Sequence, residues 1–280
     1  MDLRTRLRLD PSAVAAAVAE NTADATPGVK SRKRAAKELA ALAPRLADLQ
    51  ERLYAESKAG GRRRVVLVLQ GTDGSGKDGT VKHVVGLVNP TGVKITSFGK
   101  PTAVERRHDF LWRITRAVPA AGYLGVFNRS HYEDVLVVRV HDLVPPAEWE
   151  QRYDLINAWE AEQIAAGTTF VKVFLHLSRA EQRLRLLARL IDVTKHWKVN
   201  PGDLDERAFW EDYRTAYAAM LERCSTDAAP WYVVPADRKW YRDWAVTRLL
   251  IETLEGLDPK LPVRPELDIT GMITTLKADV

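Results

Sequence analysis

Residues 65 to 82, VVLVLQGTDGSGKDGTVK, constrain this chain more than any other stretch, because an apolar β-rich run empties into a glycine-rich turn and then into a helical pattern. Gly71, Gly76 and Lys77 stand at the GxxxxGK spacing, and Thr72, Gly74, Ser75, Asp78 and Gly79 complete the loop. In such a turn successive backbone N–H groups converge on one anion, and the helix that follows points the positive end of its dipole at the same place. Lys77 adds a point charge there. Strand, glycine loop, lysine and helix in this order predict an α/β phosphate cradle; the competing reading is a plain strand-to-helix turn.

Two departures from the ordinary pattern matter. Asp78 occupies the place where a Ser or Thr hydroxyl normally ligates magnesium, and Asp73 puts a second carboxylate inside the loop. A carboxylate among phosphates repels them unless a cation intervenes, so Asp73 is expected to be a magnesium ligand, with manganese as a substitute. The alternative is an aspartate that hydrogen-bonds its own turn.

Composition enters as a limit on what surrounds the cradle. With 280 residues, 46% hydrophobic content and eight tryptophans, one large domain plus an extension is affordable. No apolar run approaches the ~18 residues of a membrane span, and the opening MDLRTRLRLD has no hydrophobic core of a secretory signal, so a cytoplasmic protein without a membrane partner is expected. The single Cys224 excludes an internal disulfide and reads as a packing thiol. Net charge is +5, yet the surplus sits in residues 1–64, with 14 Lys and Arg against 8 Asp and Glu, while the remainder is nearly neutral. Basicity alone therefore does not argue for nucleic acid; a phosphate surface must come from local clustering.

Along the chain, the Ala-rich residues 1–30 read as a flexible arm, and residues 31–60 as a helical extension with Leu39, Leu42, Leu46, Leu49 and Leu53 in a narrow seam. Pro44 inside that seam is expected to kink or divide the helix. The seam packs on the domain or on another subunit. Further strands are expected at 93–98, 123–127, 169–177 and 231–234. Thr102 and Glu105 form a capping box for a helix bearing Arg106, Arg107, His108, Arg113 and Arg116, of which Arg113 either faces an anion or is solvated.

The strand at 123–127 leads into FNRSHYED, where a phosphate-loop kinase usually carries an aspartate for the metal shell; here that position is Asn128. Glu133 or Asp134 becomes the replacement carboxylate, and Arg129 is placed to face charge on a transferred phosphoryl group. Ser178 and Glu181 cap a helix with Arg185 and Arg189 on one face. The polar segment DVTKHWKVNPGD then reads as a lid, about 185–205 with the helix end, whose Lys195 and Lys198 close over phosphates, or as a solvated connection. Asp203 and Glu206 are expected to cap a long helix with Phe209, Trp210, Tyr213, Tyr217, Met220 and Leu221 in the core. Arg238 and Lys239 emerge at a strand's carboxyl end, where open α/β sheets bind ligands. The catalytic domain is expected over 61–258, with a Pro-rich tail at 259–280.

Five strands alternating with helices predict a P-loop kinase-like fold: a parallel five-stranded sheet with helices on both faces, a helical lid and the N-terminal extension. GTDGSGKDGT, GKPTAVERRHDFLWR, FNRSHYEDVLVVRVHDLVP, EQRLRLLARL with KHWKVNPGDLDER, and APWYVVPADRKWYR, in this order, resemble the polyphosphate kinase 2 family of polyphosphate:nucleotide phosphotransferases over roughly residues 31–258. FNRSHYED most resembles the subfamily that accepts both nucleoside mono- and diphosphates. The resemblance implies magnesium-dependent, reversible transfer of the terminal phosphoryl group of polyphosphate to AMP and ADP, with guanine nucleotides as further acceptors. It implies that Asp73 engages magnesium and the acceptor phosphate, that Lys77 and Arg129 bind phosphate alongside Asn128, and that Glu133 influences acceptor choice and metal placement. Arg185, Arg189, Lys195 and Lys198 then meet polyphosphate and Lys239 extends the channel, in a homotetramer to which the leucine seam contributes. The rivals are an ATP-dependent nucleotide kinase of thymidylate-kinase type and an inactive polyanion-binding protein.

Overall fold

Five short strands whose side chains alternate between two apolar layers make the centre of the molecule. The structure, a computed structural model, describes residues 2–279. Strands β1 (Arg64–Gln70), β2 (Val93–Ser97), β3 (Leu124–Asn128), β4 (Thr168–His176) and β5 (Trp231–Pro235) are all parallel, in the order β2-β3-β1-β4-β5. Each lies within a residue or two of its expected place. On β1, Val65, Leu67 and Leu69 enter one apolar cluster while Val66 and Val68 enter the other, the period of two that a sheet covered on both faces requires.

The helices, in chain order, are α1 (Leu3–Leu7), α2 (Val14–Ala17), α3 (Arg32–Lys58), α4 (Lys77–His83), α5 (Trp112–Ala117), α6 (Val137–Val140), α7 (Pro146–Ala165), α8 (Arg179–Ile191), α9 (Gly202–Ala208), α10 (Trp210–Arg223), α11 (Lys239–Leu257) and α12 (Ile269–Ala278). Helices α3 and α11 cover one face, burying Leu46, Leu49 and Leu53 against Leu249 and Leu250; α7 and α10 cover the other. Among the described residues no helix is long and apolar enough to cross a membrane.

Several expectations are corrected. Pro44 does not divide α3, which runs unbroken for 27 residues. Both Pro44 and Ala40, whose carbonyl loses its partner, lie on the exposed side, so the orphaned group is open to solvent. The buried part of the leucine seam is used up inside the chain and is not free for a subunit contact. The N-terminal segment is packed rather than loose: Leu3, Leu7, Leu9 and Val29 are buried, Leu9 N–H donates to the Trp231 carbonyl at 2.9 Å, and Asp237 N–H donates to the Ala23 carbonyl at 3.1 Å. The Thr102–Glu105 capping box forms in both directions but caps a single 3-10 turn, Glu105–Arg107. The segment expected as a tail carries α12, whose Ile269, Met272, Ile273 and Leu276 are exposed.

Candidate active site

The β1–α4 loop takes the expected cradle shape because glycines stand where the backbone turns left-handed: Gly74 has φ 84° and Gly76 φ 102°. Behind Gly76 lies the guanidinium of Arg242, so close that a Cβ there would collide with it. Gly76→Ala is therefore expected to cost at least about 2 kcal/mol, from strained φ and the displaced arginine, and to lower the thermal midpoint by roughly 5 °C in a calorimetric scan.

Lys77 begins α4 and is buried. Its Nζ donates to the carbonyls of Gly71 (2.6 Å) and Thr72 (3.3 Å). Burial pulls its pKa down, against the pull of Asp73 beside it. Register brings β3 alongside: Leu69 pairs with Asn128, and Arg129 N–H donates to the Leu69 carbonyl at 3.1 Å. Asn128 donates to Asp78 Oδ1 at 2.8 Å, so the two substitutions in the ordinary pattern meet each other. Arg129, in the left-handed region at φ 62°, turns its guanidinium to Asp73 Oδ1 at 3.1 Å.

The two candidate metal carboxylates are pushed in opposite directions. Burial raises Asp73, but Lys77 and Arg129 outweigh it and hold the group below the usual value; at Glu133 burial wins over the same two cations and the pKa rises. With its amide turned to satisfy both neighbours, Gln70 donates to Glu133 Oε1 at 3.1 Å and accepts from Ser130 Oγ. Asp134 points elsewhere. It pairs with Arg152 at 2.9 Å, and burial pushes it up to about 6, which leaves Glu133 as the carboxylate facing the loop.

Below this turn His131 and Tyr132 are locked into the core. Lys172, fully buried on β4, donates to Glu160 Oε2 (2.7 Å), Tyr132 Oη (2.9 Å) and the Cys224 carbonyl (2.7 Å). Tyr132 Oη donates to Glu160 Oε1 at 2.7 Å, and His131 Nε2 lies 3.2 Å from the same oxygen. All three protons of the ammonium are thus used, the condition under which a buried charge is tolerated.

The remaining candidates separate into users of the cleft and supports of it. Arg185 is a clasp: Nη1 donates to the carbonyls of Gly74 (2.9 Å) and Ser75 (3.3 Å), Nη2 to those of Ala236 (2.6 Å) and Asp237 (2.8 Å), and Nε to Glu181 (2.8 Å). It ties the phosphate loop to the β5–α11 turn, and its donors are already spent. Arg189 reaches Asp203 at 3.4 Å, and Lys195 pairs with Asp192 at 2.6 Å. Arg189, Lys195, Lys198 and Lys239 line one open cleft of about 1070 Å3 with the loop. Arg113 is not brought there; it donates to the Gly99 carbonyl at 2.8 Å and faces a separate side pocket with Asp134 and Arg152.

Three further groups line the cleft or the smaller pocket beside it. Asp203 does not cap a helix: α9 has Pro201 at its N-cap, and Asp203 faces Arg189, its pKa raised by burial and by Asp73. Arg242 lines the cleft one turn beyond Lys239, a relation readable as i, i+3 within RKWYR. Trp210, Tyr213 and Tyr217, expected as core alone, line a smaller pocket behind Lys77, and the long helix they sit on is broken at Phe209.

Among the described residues no three His, Cys, Asp or Glu side chains stand close enough to hold a metal unaided. Asp73 and Glu133 beside the cradle fit an ion of magnesium type, which binds through one or two carboxylates and completes its shell with substrate phosphates and water.

This geometry has close relatives. The chain is 50% identical over 244 residues to the AMP/ADP-polyphosphate phosphotransferase of Meiothermus ruber, covering 87% of this chain and 90% of that one. It is 45% identical over 230 residues to the ADP-polyphosphate phosphotransferase of Rhodopseudomonas palustris, covering 78% of each. The crystal structure of polyphosphate kinase 2 from Arthrobacter aurescens TC1 superimposes with a TM-score of 0.95 at 46% identity, over 99% of this chain and 97% of that one. The family description Polyphosphate kinase 2 (PPK2) matches residues 29–262, which take in the phosphate loop, the turn after β3 and the cationic cleft together. On that agreement in sequence and in shape, the chain belongs to the polyphosphate kinase 2 family.

Proposed function

We propose that this protein transfers the terminal phosphoryl group of inorganic polyphosphate to AMP and to ADP, forming ADP and ATP, and runs the reverse reaction when concentrations demand it. One observation carries the reading beyond family membership: the cleft that opens from Lys77 is walled by Lys82, Arg189, Lys195, Lys198, Lys239 and Arg242. A surplus of cations over the carboxylates Asp73, Asp78, Glu181 and Asp203, in a cleft of this size beside a single phosphate cradle, suits a polyanion longer than the phosphate chain of a nucleotide.

The chemistry asks little of the protein in proton transfer. An oxygen of the nucleotide's terminal phosphate, already ionised, attacks the terminal phosphorus of polyphosphate. The bond from that phosphorus to its bridging oxygen breaks, and the electron pair stays on the shortened chain. Lys77 and Arg129 neutralise the phosphoryl oxygens, and leaving Asp73 for phosphate is the exchange that Arg129 makes. Asn128 fixes Asp78 at the loop. Asp73 and Glu133 are the residues that would hold magnesium, or manganese in its place, which supplies further charge neutralisation between phosphates. Arg185 acts through the loop it clasps. The segment of about 185–205 serves as the lid, excluding water that would otherwise take the phosphoryl group. The enzyme works in the cytoplasm as a homotetramer.

The test is incubation with magnesium and long-chain polyphosphate, with AMP or ADP supplied separately and no other triphosphate, followed by nucleotide chromatography. ADP and then ATP from AMP, and ATP from ADP without matching AMP, is the expected result. Transfer only when ATP is the donor overturns the proposal in favour of an ordinary nucleotide kinase.

A further inference from the structure

The lid of about 185–205 begins and ends beside two side chains that touch each other. Gln182, on the turn of α8 just before it, is buried. Arg207, near the end of α9 just after it, donates through Nη1 to Gln182 Oε1 at 2.6 Å and to the Arg179 carbonyl at 3.1 Å. The other end of the same amide reaches the phosphate loop, where Gln182 Nε2 donates to the Asp73 carbonyl at 3.0 Å. One amide thus accepts from the foot of the lid and donates to the cradle, a pairing that neither a carboxylate nor an apolar side chain can make.

The turn of α8 that carries Gln182 is held to the domain. Ser178 N–H and Oγ donate to the Asp237 carboxylate at 2.9 and 2.7 Å, and Glu20 accepts from the Arg179 N–H at 3.0 Å. Arg185, one turn on, binds the next two loop carbonyls, so α8 grips Asp73, Gly74 and Ser75 in succession. Two side-chain pairs bring α9 back onto α8, Arg189 with Asp203 at 3.4 Å and Arg207 with Gln182. Arg189 and Asp203 both line the cationic cleft, where a polyanion competes with Asp203 for the guanidinium; Gln182 and Arg207 do not line it. The second pair is therefore the one left in place when polyphosphate fills the cleft.

We propose that Gln182 and Arg207 are positioning residues for phosphoryl transfer: their hydrogen bond is the hinge of the lid, and the Gln182 amide passes it on to the Asp73 carbonyl, so that lid and phosphate loop move as one. This rests on the transferase reading above and adds what couples the lid to the loop. A lid and loop that move independently admit water while phosphate is bound. Water then takes the nucleotide's place. Its oxygen bonds to the terminal phosphorus, the bridging P–O bond breaks with its electron pair on the shortened chain, the water's protons pass to solvent, and orthophosphate is released.

The experiment compares Arg207→Met, Arg207→Lys, Gln182→Met and Gln182→Glu in the full chain by two readouts. The first needs no turnover: hydrogen exchange at Ser75, whose N–H donates to the Thr72 carbonyl at 3.1 Å. The second is the orthophosphate released per ATP formed from ADP and polyphosphate. Arg207→Met and Gln182→Met are expected to raise both at least about fivefold, with the KM for polyphosphate changed less than about twofold. Gln182→Glu keeps an acceptor for Arg207 but has no donor for Asp73, and is expected to match Gln182→Met. Arg207→Lys keeps a donor and is expected to return both readouts to within about twofold of wild type. A purely structural role lowers the thermal midpoint and total turnover but leaves the orthophosphate ratio unchanged, and that result overturns the proposal. So does Ser75 exchange unaltered in Arg207→Met, or Arg207→Lys behaving as Arg207→Met does. If Gln182→Met does not fold, the Arg207 variants, at a half-buried position, carry the test. A wild type that forms no ATP from polyphosphate refutes the transferase reading, while the coupling is still judged by exchange.

Discussion

Lys77→Met is expected to lower kcat for polyphosphate-dependent ATP formation by about 10³-fold, the loss typical of removing one preorganised charge from a developing phosphoryl transition state. Stability should move the other way or not at all. The ammonium is buried at the loop with only backbone carbonyls as direct hydrogen-bond partners, and the fall in its pKa says that desolvation costs more than Asp73 returns. A folded-state value below the unfolded one means that the charged form is a net cost of folding at neutral pH. Methionine keeps the stem and removes that cost, so the thermal midpoint should stay level or rise by a few degrees while turnover disappears. Steady-state kinetics beside a calorimetric scan decide it; a variant that loses activity only because it unfolds would refute the assignment of Lys77 to catalysis.

The second large effect lies far from solvent. Lys172→Met strips the cation from Glu160 and leaves a carboxylate almost wholly buried, an uncompensated charge of the kind that costs about 3–5 kcal/mol. For a chain of this size that is a fall of roughly 10 °C in the thermal midpoint. The effect depends on pH. Burial on its own raises Glu160, but Lys172 and His131 together outweigh it, and the pKa lies below the ordinary 4.5. The wild-type pair therefore contributes stability above about that pH and loses it as pH falls through the lowered folded value. Without Lys172 burial prevails and the folded pKa rises, so the variant's stability drops as pH climbs past 4.5. The gap between the two proteins should widen from pH 4 to pH 8. Lys172→Met combined with Glu160→Gln should recover most of the loss at pH 8, and chemical denaturation at the two pH values is the measurement. A gap that does not change with pH would show that the pair acts by packing alone.

Much of the scaffold was legible because its signals are local. Five β-rich runs, their spacing, the glycine loop and the Ser178 cap on α8 each depend on a few consecutive residues, and all five strands appear within a residue or two of expectation. Pro44 and the Thr102–Glu105 box show how far that reaches. The box forms its two hydrogen bonds as written, yet the chain beyond it turns away after three residues, since α5 starts only at Trp112. Residues 2–30 differ from expectation for a related reason: an Ala-rich composition resembles a loose arm until Leu3, Leu7 and Leu9 find apolar partners on β5 and α11.

The site divides along the same line. Type and order of residues pointed to a phosphate cradle at Gly71–Gly79 with Lys77 as its point charge, and to Arg129 and a nearby acid approaching it from the next strand. Periodicity and backbone chemistry within a short window require those things. Tertiary structure alone decided which acid that is, sending Glu133 to the loop and Asp134 to Arg152. It also turned Arg185 into a clasp, left Arg113 in another pocket, and carried Asp203, Tyr213 and Tyr217 to the back of the cradle. These outcomes depend on the direction of a side chain and on distances between residues that lie from 14 to 111 or more positions apart, and a linear pattern contains neither until the sheet has brought its strands together.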